Sequence, residues 1–152
     1  MARSIPADLE LREESVRLAR SYLDRLNVWD FDGLSALVAE DFVLEMKYVA
    51  PGMPSMWEGR GTVIDLYRGM SVAILSPNLH DFWMDTLYSD PGEVVAQYRS
   101  EMRMADPNLC YSNEYISRFT IRDGKIIRFI DGFDSVRLVL GFGGTVEAPR
   151  IA

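Results

Sequence analysis

The sequence predicts an α+β fold: a cone-shaped, curved mixed/antiparallel sheet wrapped around a long N-terminal helix, with two further helices. Two observations lead there. Apolar residues recur at helical spacing through most of the first half of the chain, and residues 80–133 then read as a meander of strands separated by turn signals. A length of 152 residues adds a third: it suits one domain, spanning 1–152, large enough to hold a core and an internal pocket.

The elements follow in order. Leu9, Val16, Leu18, Ala19, Tyr22, Leu23 and Leu26 make one face of the first helix, with Asp8 placed as its N-cap. A short second helix is expected over 31–40, with Leu34, Leu37 and Val38 as its apolar side. Residues 42–49 form an aromatic and β-branched strand. Residues 50–57 are a breaker-rich loop that also carries Met53, Met56 and Trp57, so it either packs over a core edge or walls a ligand mouth. A third helix is expected over 62–74, stopped by Pro77, with Val63, Leu66, Tyr67, Met70 and Ile74 buried. Strands at 80–88, 94–104, 111–122 and 125–133 follow, the last two joined by the Asp123-Gly124 hairpin signal. The tail after Gly141 reads as irregular.

Composition narrows the function classes. A net charge of -7 argues against nucleic acid or an anionic membrane as the main partner. The single cysteine, Cys110, excludes an intrachain disulfide framework and a multi-cysteine zinc site, and the single histidine, His80, excludes a His-rich metal site. No glycine-rich phosphate loop or metal-ligand cluster is visible, so neither cofactor nor metal is implied. No run approaches the ~20 apolar residues of a membrane span, and residues 1–6 lead straight into charged positions without an apolar signal core. The expectation is a soluble, cytoplasmic protein whose partner is a small molecule.

Alternation singles out one acid. Ile127, Phe129, Asp131 and Phe133 share a face of the last strand; Asn113, Tyr115, Ser117, Phe119 and Ile121 share a face of the strand before it. If the two faces meet inside the cone, Asp131 is a carboxylate in an apolar cavity, with a pKa raised toward neutrality and suited to general acid or base work. Otherwise it lies solvated at the sheet end. Arg99 and Glu101, two apart in the longest strand, could hold a water or a third carboxylate by charge-assisted bonds. Their strand is ambiguous: Tyr98, Met102 and Met104 look like core, and Gln97, Arg99, Glu101 and Arg103 look like a polar exterior. His80 opens its strand as a surface or partly buried side chain rather than a catalytic one.

Several stretches resemble one superfamily. Tyr22-Leu23-Asp24-Arg25-Leu26-Asn27-Val28-Trp29-Asp30, Ala39-Glu40-Asp41-Phe42-Val43, Trp57-Glu58-Gly59-Arg60-Gly61, Asp123-Gly124-Lys125-Ile126 and Asp131-Gly132-Phe133-Asp134 are similar to the nuclear transport factor 2-like superfamily, also called SnoaL-like or ketosteroid-isomerase-like. Arg99-Ser100-Glu101 and Tyr111-Ser112-Asn113-Glu114-Tyr115 resemble the phenazine-biosynthesis A/B-type branch, whose last-strand glutamate falls on Asp131 and whose helix-three histidine falls on or near Arg68. Arg99-Ser100-Glu101 and Ile130-Asp131-Gly132-Phe133-Asp134 also resemble limonene epoxide hydrolases. The strand-one positions that act in the epoxide hydrolases and ketosteroid isomerases fall near Leu44 and Met46.

The resemblance implies an acid–base enzyme (isomerase, cyclase, dehydratase or condensing type) acting on a small ring-containing metabolite in an internal apolar pocket. Asp131 would shuttle the proton, Arg99 and Glu101 would turn inward to orient it or polarise a carbonyl, and Tyr22 would donate to a developing oxyanion. Arg68, Asn113, Tyr115, Phe129, Trp57 and Met46 would contact the substrate. The alternatives are a non-catalytic binder of the same fold, an epoxide hydrolase, or a dimeric interaction module with no small-molecule role. A homodimer is implied, with the sheet face outside the cone as its contact.

Overall fold

The computed structural model describes residues 8–150. Helix α1 covers Leu9–Asn27, α2 Phe31–Leu37, α3 Arg60–Ala73 and α4 Ser135–Gly141. The strands are β1 Val38–Met46, β2 Met56–Glu58, β3 Ile74–Ser76, β4 Leu79–Leu87, β5 Asp90–Met104, β6 Tyr111–Arg122 and β7 Lys125–Asp131. They form one sheet in the order β2-β1-β7-β6-β5-β3, with β4 also paired to β5. The β1–β7 pair is parallel and the other pairs are antiparallel, so the sheet is mixed. No helix among the described residues is long and apolar enough to cross a membrane.

Helix α1 buries Ser15, Ala19, Tyr22 and Leu23, a stripe at three- and four-residue spacing, and lies against β4 and β5. Its C-terminal end is tied to the sheet by Asn27, whose Nδ2 donates to the Leu79 carbonyl at 2.9 Å and whose Oδ1 accepts from the Leu79 N–H at 2.6 Å. The fully buried core joins the two layers: Tyr22, Leu23 and Leu34 from the helices meet Phe42, Phe119, Phe129 and Ile126 from the sheet. Phe119 and Phe129 stack at 4.3 Å, and the Tyr22 ring packs edge-on to Phe129 at 5.3 Å. This aromatic floor closes one end of the cone.

Several boundaries differ from the sequence expectation, each because tertiary pairing prevails over local pattern. Asp8 precedes α1, but its carboxylate binds Arg12 at 2.7 Å and caps no backbone N–H. Helix α2 ends at Leu37 rather than 40, because Val38 is buried as a strand residue opposite Ile126 of β7. Helix α3 stops before Ile74, which turns into β3 against Met104, so Pro77 follows a strand and not the helix. The 50–57 loop ends in β2, hydrogen-bonded along β1. The 125–133 strand is shorter, and a register shift at Ile127 puts Ile126 in the core in its place. Helix α4 occupies residues 135–141, to which the sequence pattern assigned no element, and residues 142–150 after it are irregular as expected; Asp134 caps the helix, accepting from the Val136 and Arg137 N–H groups at 2.9 and 3.3 Å. The 123–124 hairpin is as expected, with φ of 50° at Asp123 and 71° at Gly124, both positive as a type I′ turn requires.

Candidate active site

Asp131 is the last residue of β7 and lies opposite Met46 of the parallel β1. Phe129 and Asp131 project into the cone, and Tyr115, Ser117 and Phe119 of β6 share the facing side, each buried. The next residue must be glycine: a Cβ at Gly132 would collide with the Ile116 carbonyl oxygen. That close approach holds the end of β7 against β6 and fixes where the carboxylate points.

The two carboxylate oxygens are treated differently. Oδ1 accepts from the Tyr98 hydroxyl at 3.1 Å and from the Ser117 hydroxyl at 3.0 Å. Ser117 is itself oriented by the Gly132 N–H, which donates to its oxygen at 3.3 Å. Tyr98 is held by stacking on Tyr115, with ring centroids 4.6 Å apart. Among the described residues, no hydrogen bond goes to Oδ2. Removal from water pushes the Asp131 pKa up to about 6, and the Ser117 and Tyr98 hydroxyls pull against that rise.

The acid stands between two spaces. An inner chamber of about 50 Å³ lies toward the helices, and an outer vestibule of about 540 Å³ opens beyond it. Met46, Met70, Ile74, Met102, Tyr115 and Asp131 line both, so they form the neck. Trp29, Tyr67, Tyr98 and Phe129 are among the other residues of the inner chamber. Trp57, Leu66 and Phe133, with Leu138, Val139 and Phe142 at and just beyond α4, wall the vestibule.

On the helix side, the Tyr67 and Tyr22 hydroxyl oxygens are 2.6 Å apart. Tyr22 is 1% exposed and does not line the chamber; Tyr67 does. An unmet buried donor is costly. Either hydroxyl can be the donor of this bond; when an acceptor enters the chamber, Tyr67 can donate to it while Tyr22 donates to Tyr67. Burial raises the pKa of both tyrosines, so both stay protonated at neutral pH.

The expected site residues divide. Asp131, Met46, Tyr115, Phe129 and Trp57 line the two spaces. Arg99 and Glu101 do not turn inward. They lie exposed on the outer sheet face, Arg99 beside Glu114 at 3.5 Å, because Tyr98, Ser100 and Met102 take the inner side of β5. Arg68 is exposed on α3, its guanidinium 4.6 Å above the Phe31 ring, outside the chamber. Tyr22 reaches the chamber only through Tyr67. Asn113 is buried but braces structure: its Nδ2 donates to the Tyr111 hydroxyl at 2.8 Å and the Asp134 carbonyl at 3.0 Å, and its Oδ1 accepts from the Asp134 N–H at 3.0 Å. His80 sits beside Asp81 at 3.3 Å, away from the acid.

The residues that sequence reasoning missed as site members are Tyr67, Tyr98, Ser117, Met70 and Met102. All were legible as buried-face positions; what was hidden was that two hydroxyls among them, of Tyr98 and Ser117, meet the acid.

The model of the SnoaL-like domain family matches residues 19–129. A Bacillus subtilis protein, YesE, described as uncharacterised, is 26% identical over 135 residues, which is 88% of this chain and 90% of that protein. Among solved structures, a candidate isomerase from Bacillus subtilis superposes with a TM-score of 0.80 at 22% identity, covering 89% of this chain and 96% of that one. A phenazine biosynthesis-related protein from Pseudomonas aeruginosa superposes with a TM-score of 0.81 at 16% identity, covering 99% and 93%.

Proposed function

Because the chain belongs to the SnoaL-like domain family, we propose that it is an acid–base enzyme of the isomerase, cyclase, dehydratase or condensing type, acting on a small ring-containing metabolite held at Asp131. The observation that carries this reading is the split carboxylate: Oδ1 is pinned by Tyr98 and Ser117, while Oδ2 is left free at the neck of an apolar cavity. A carboxylate near pKa 6 is a stronger base than an ordinary aspartate, yet is still substantially ionised at neutral pH.

In this reading Oδ2 takes a proton from a carbon next to a carbonyl and returns it at another position. The Tyr67 hydroxyl, backed by Tyr22, donates to the oxygen on which negative charge builds. Tyr98 and Ser117 keep the carboxylate from rotating as it gains and loses the proton. The aromatic floor and the methionine neck exclude bulk water, which keeps these interactions strong.

A thermal-shift screen of cyclic ketones, epoxides, phenols and polyketide-like rings identifies a ligand, and turnover of that ligand by Asp131→Asn tests the role. Loss of about 10²-fold or more is expected for a general acid–base. Full turnover in the variant contradicts the reading. One observation favours the second reading, a non-catalytic binder: Arg99, Glu101 and Arg68 all lie outside the cavity, leaving Asp131 as its single charged group among the described residues. A binder keeps or gains affinity in Asp131→Asn. Epoxide hydrolysis is less well supported, since its Arg99–Glu101 pair faces outward.

We also assign a homodimer to the outer sheet face. A groove of about 730 Å³ there exposes Trp83, Ile116 and Tyr48 beside Asp81, Arg99 and Glu114. Both charge signs occur together, as a self-complementary contact needs. Sedimentation is expected to give a dimer mass; a concentration-independent monomer would contradict this.

A further inference from the structure

We propose that the cavity selects its ligand by charge: it takes an uncharged, largely apolar molecule and rejects anions such as carboxylates and phosphates. The inference rests on the reading above that the Asp131 cavity is the ligand site. Among the described residues, no lysine, arginine or histidine lines either chamber, and Asp131 is their single charged residue. Arginines near its walls are engaged elsewhere: Arg68 over Phe31, Arg99 beside Glu114, Arg128 with Glu45, and Arg137 at 3.6 Å from Asp134. An anion entering the vestibule would therefore lose its water, meet no cation and face a carboxylate in a low-dielectric space.

The titratable groups around Asp131 reinforce this. They are tyrosines from four elements: Tyr22 on α1, Tyr67 on α3, Tyr98 on β5, and Tyr111 and Tyr115 on β6, while β1 sets Met46 opposite the acid. Burial raises the pKa of each, so none carries charge at neutral pH and none becomes a cation at any pH. Among the described residues, the charge that a ligand meets is set by Asp131 alone.

Shape adds a second constraint. A vestibule of about 540 Å³ suits a ring-sized apolar body, whereas an inner chamber of about 50 Å³ admits only a head of roughly one or two water volumes. The Tyr67 hydroxyl lines that chamber with Tyr22 as its hydrogen-bond partner, so it can donate to an accepting head such as a carbonyl oxygen. The ligand class is thus a neutral, asymmetric molecule with one small acceptor group on an apolar ring system.

Three probes of one shape test the charge rule on the full chain: 2-acetylnaphthalene, 2-naphthoate and 2-naphthylmethylammonium, titrated by calorimetry. At pH 8 the ketone is expected to bind saturably and the naphthoate at least about 100-fold more weakly, a typical consequence of juxtaposed like charges. At pH 5 Asp131 is largely protonated while naphthoate is still mostly charged, so the gap should narrow about tenfold in the unaltered protein. Asp131→Asn at pH 8 should narrow it similarly and leave ketone affinity within a few-fold. Naphthoate binding as tightly as the ketone at pH 8 overturns the inference, as does tighter binding of the ammonium probe or no saturable binding by any of the three. Turnover separates this inference from the catalytic reading. Charge discrimination with an active Asp131→Asn sinks catalysis alone, and equal binding of ketone and naphthoate with an inactive variant sinks the charge rule alone.

Discussion

Asp131 concentrates the consequences at the scale of single residues. The ordinary value of its carboxyl is 3.8, and burial in the cavity pushes it up to about 6. Between these values the folded state holds the extra proton, so stability falls as pH rises through that window. Above it, the buried charge costs roughly 3 kcal/mol. Asp131→Asn is therefore expected to melt higher than the unaltered protein at pH 8, with the advantage shrinking toward pH 4; an equal or lower Tm at pH 8 would contradict the burial of the charge. Tyr98→Phe removes a donor that stabilises the ionised form, and should move the Asp131 midpoint up by about one unit. An unmoved midpoint in the pH–rate profile would deny that hydrogen bond its role. Tyr67→Phe should cost about 10²-fold in turnover, and Tyr22→Phe less than about tenfold, because the first removes the donor facing the substrate and the second only its support. The reverse order would reassign the oxyanion donor to Tyr22.

The elements decide how much of this was readable. Long periodic segments were: α1 carries an unambiguous apolar stripe, and Tyr111–Arg122 alternates buried and exposed side chains from end to end. The alternation of Phe129, Asp131 and Phe133 in the next strand, set beside that face, is what singled out Asp131. Short segments were not, because β2, β3 and α4 take their conformation from what they pair with or cap, and three to seven residues hold too little pattern. The direction of Arg99 and Glu101 was ambiguous for a different reason: β5 puts Tyr98 and Met102 on one face and two arginines on the other, and either could read as interior until Ser100 is seen buried with the tyrosine. Asn113 shows the same limit. Its position on the inner face suggested a ligand contact, whereas it clamps the β7–α4 corner through both its amide atoms. Asn113→Ala should therefore destabilise the fold by about 2–3 kcal/mol, read by denaturant midpoint, with ligand affinity changed little once folded. An unchanged midpoint with lost binding would return Asn113 to the site. Gly141 is a companion case: a Cβ there would strike the Tyr111 ring, so Gly141→Ala should lift α4 and loosen the vestibule.

At the scale of the whole molecule, the sheet's curl puts two opposed surfaces to different uses. The concave side holds one acid among aromatic and methionine side chains; the convex side carries the charged residues of β5 and β6 together with exposed Trp83 and Ile116. The helices close the cone at its aromatic end and leave the other open between α4 and the 50–57 loop. Solved structures with this architecture are described as differently as a candidate isomerase and a phenazine biosynthesis-related protein, and one fold hosts many chemistries, so the fold locates the cavity and the side chains inside must specify what happens there. Here they supply a free carboxylate oxygen, a hydroxyl donor and no cation. The most direct measurement of that arrangement is a carboxyl-detected NMR pH titration of the full chain, with the Asp131 signal assigned by its absence in Asp131→Asn. A midpoint near 6 is expected. A midpoint near the ordinary aspartate value of about 3.9 would mean the group is solvated, and the acid–base account would fail.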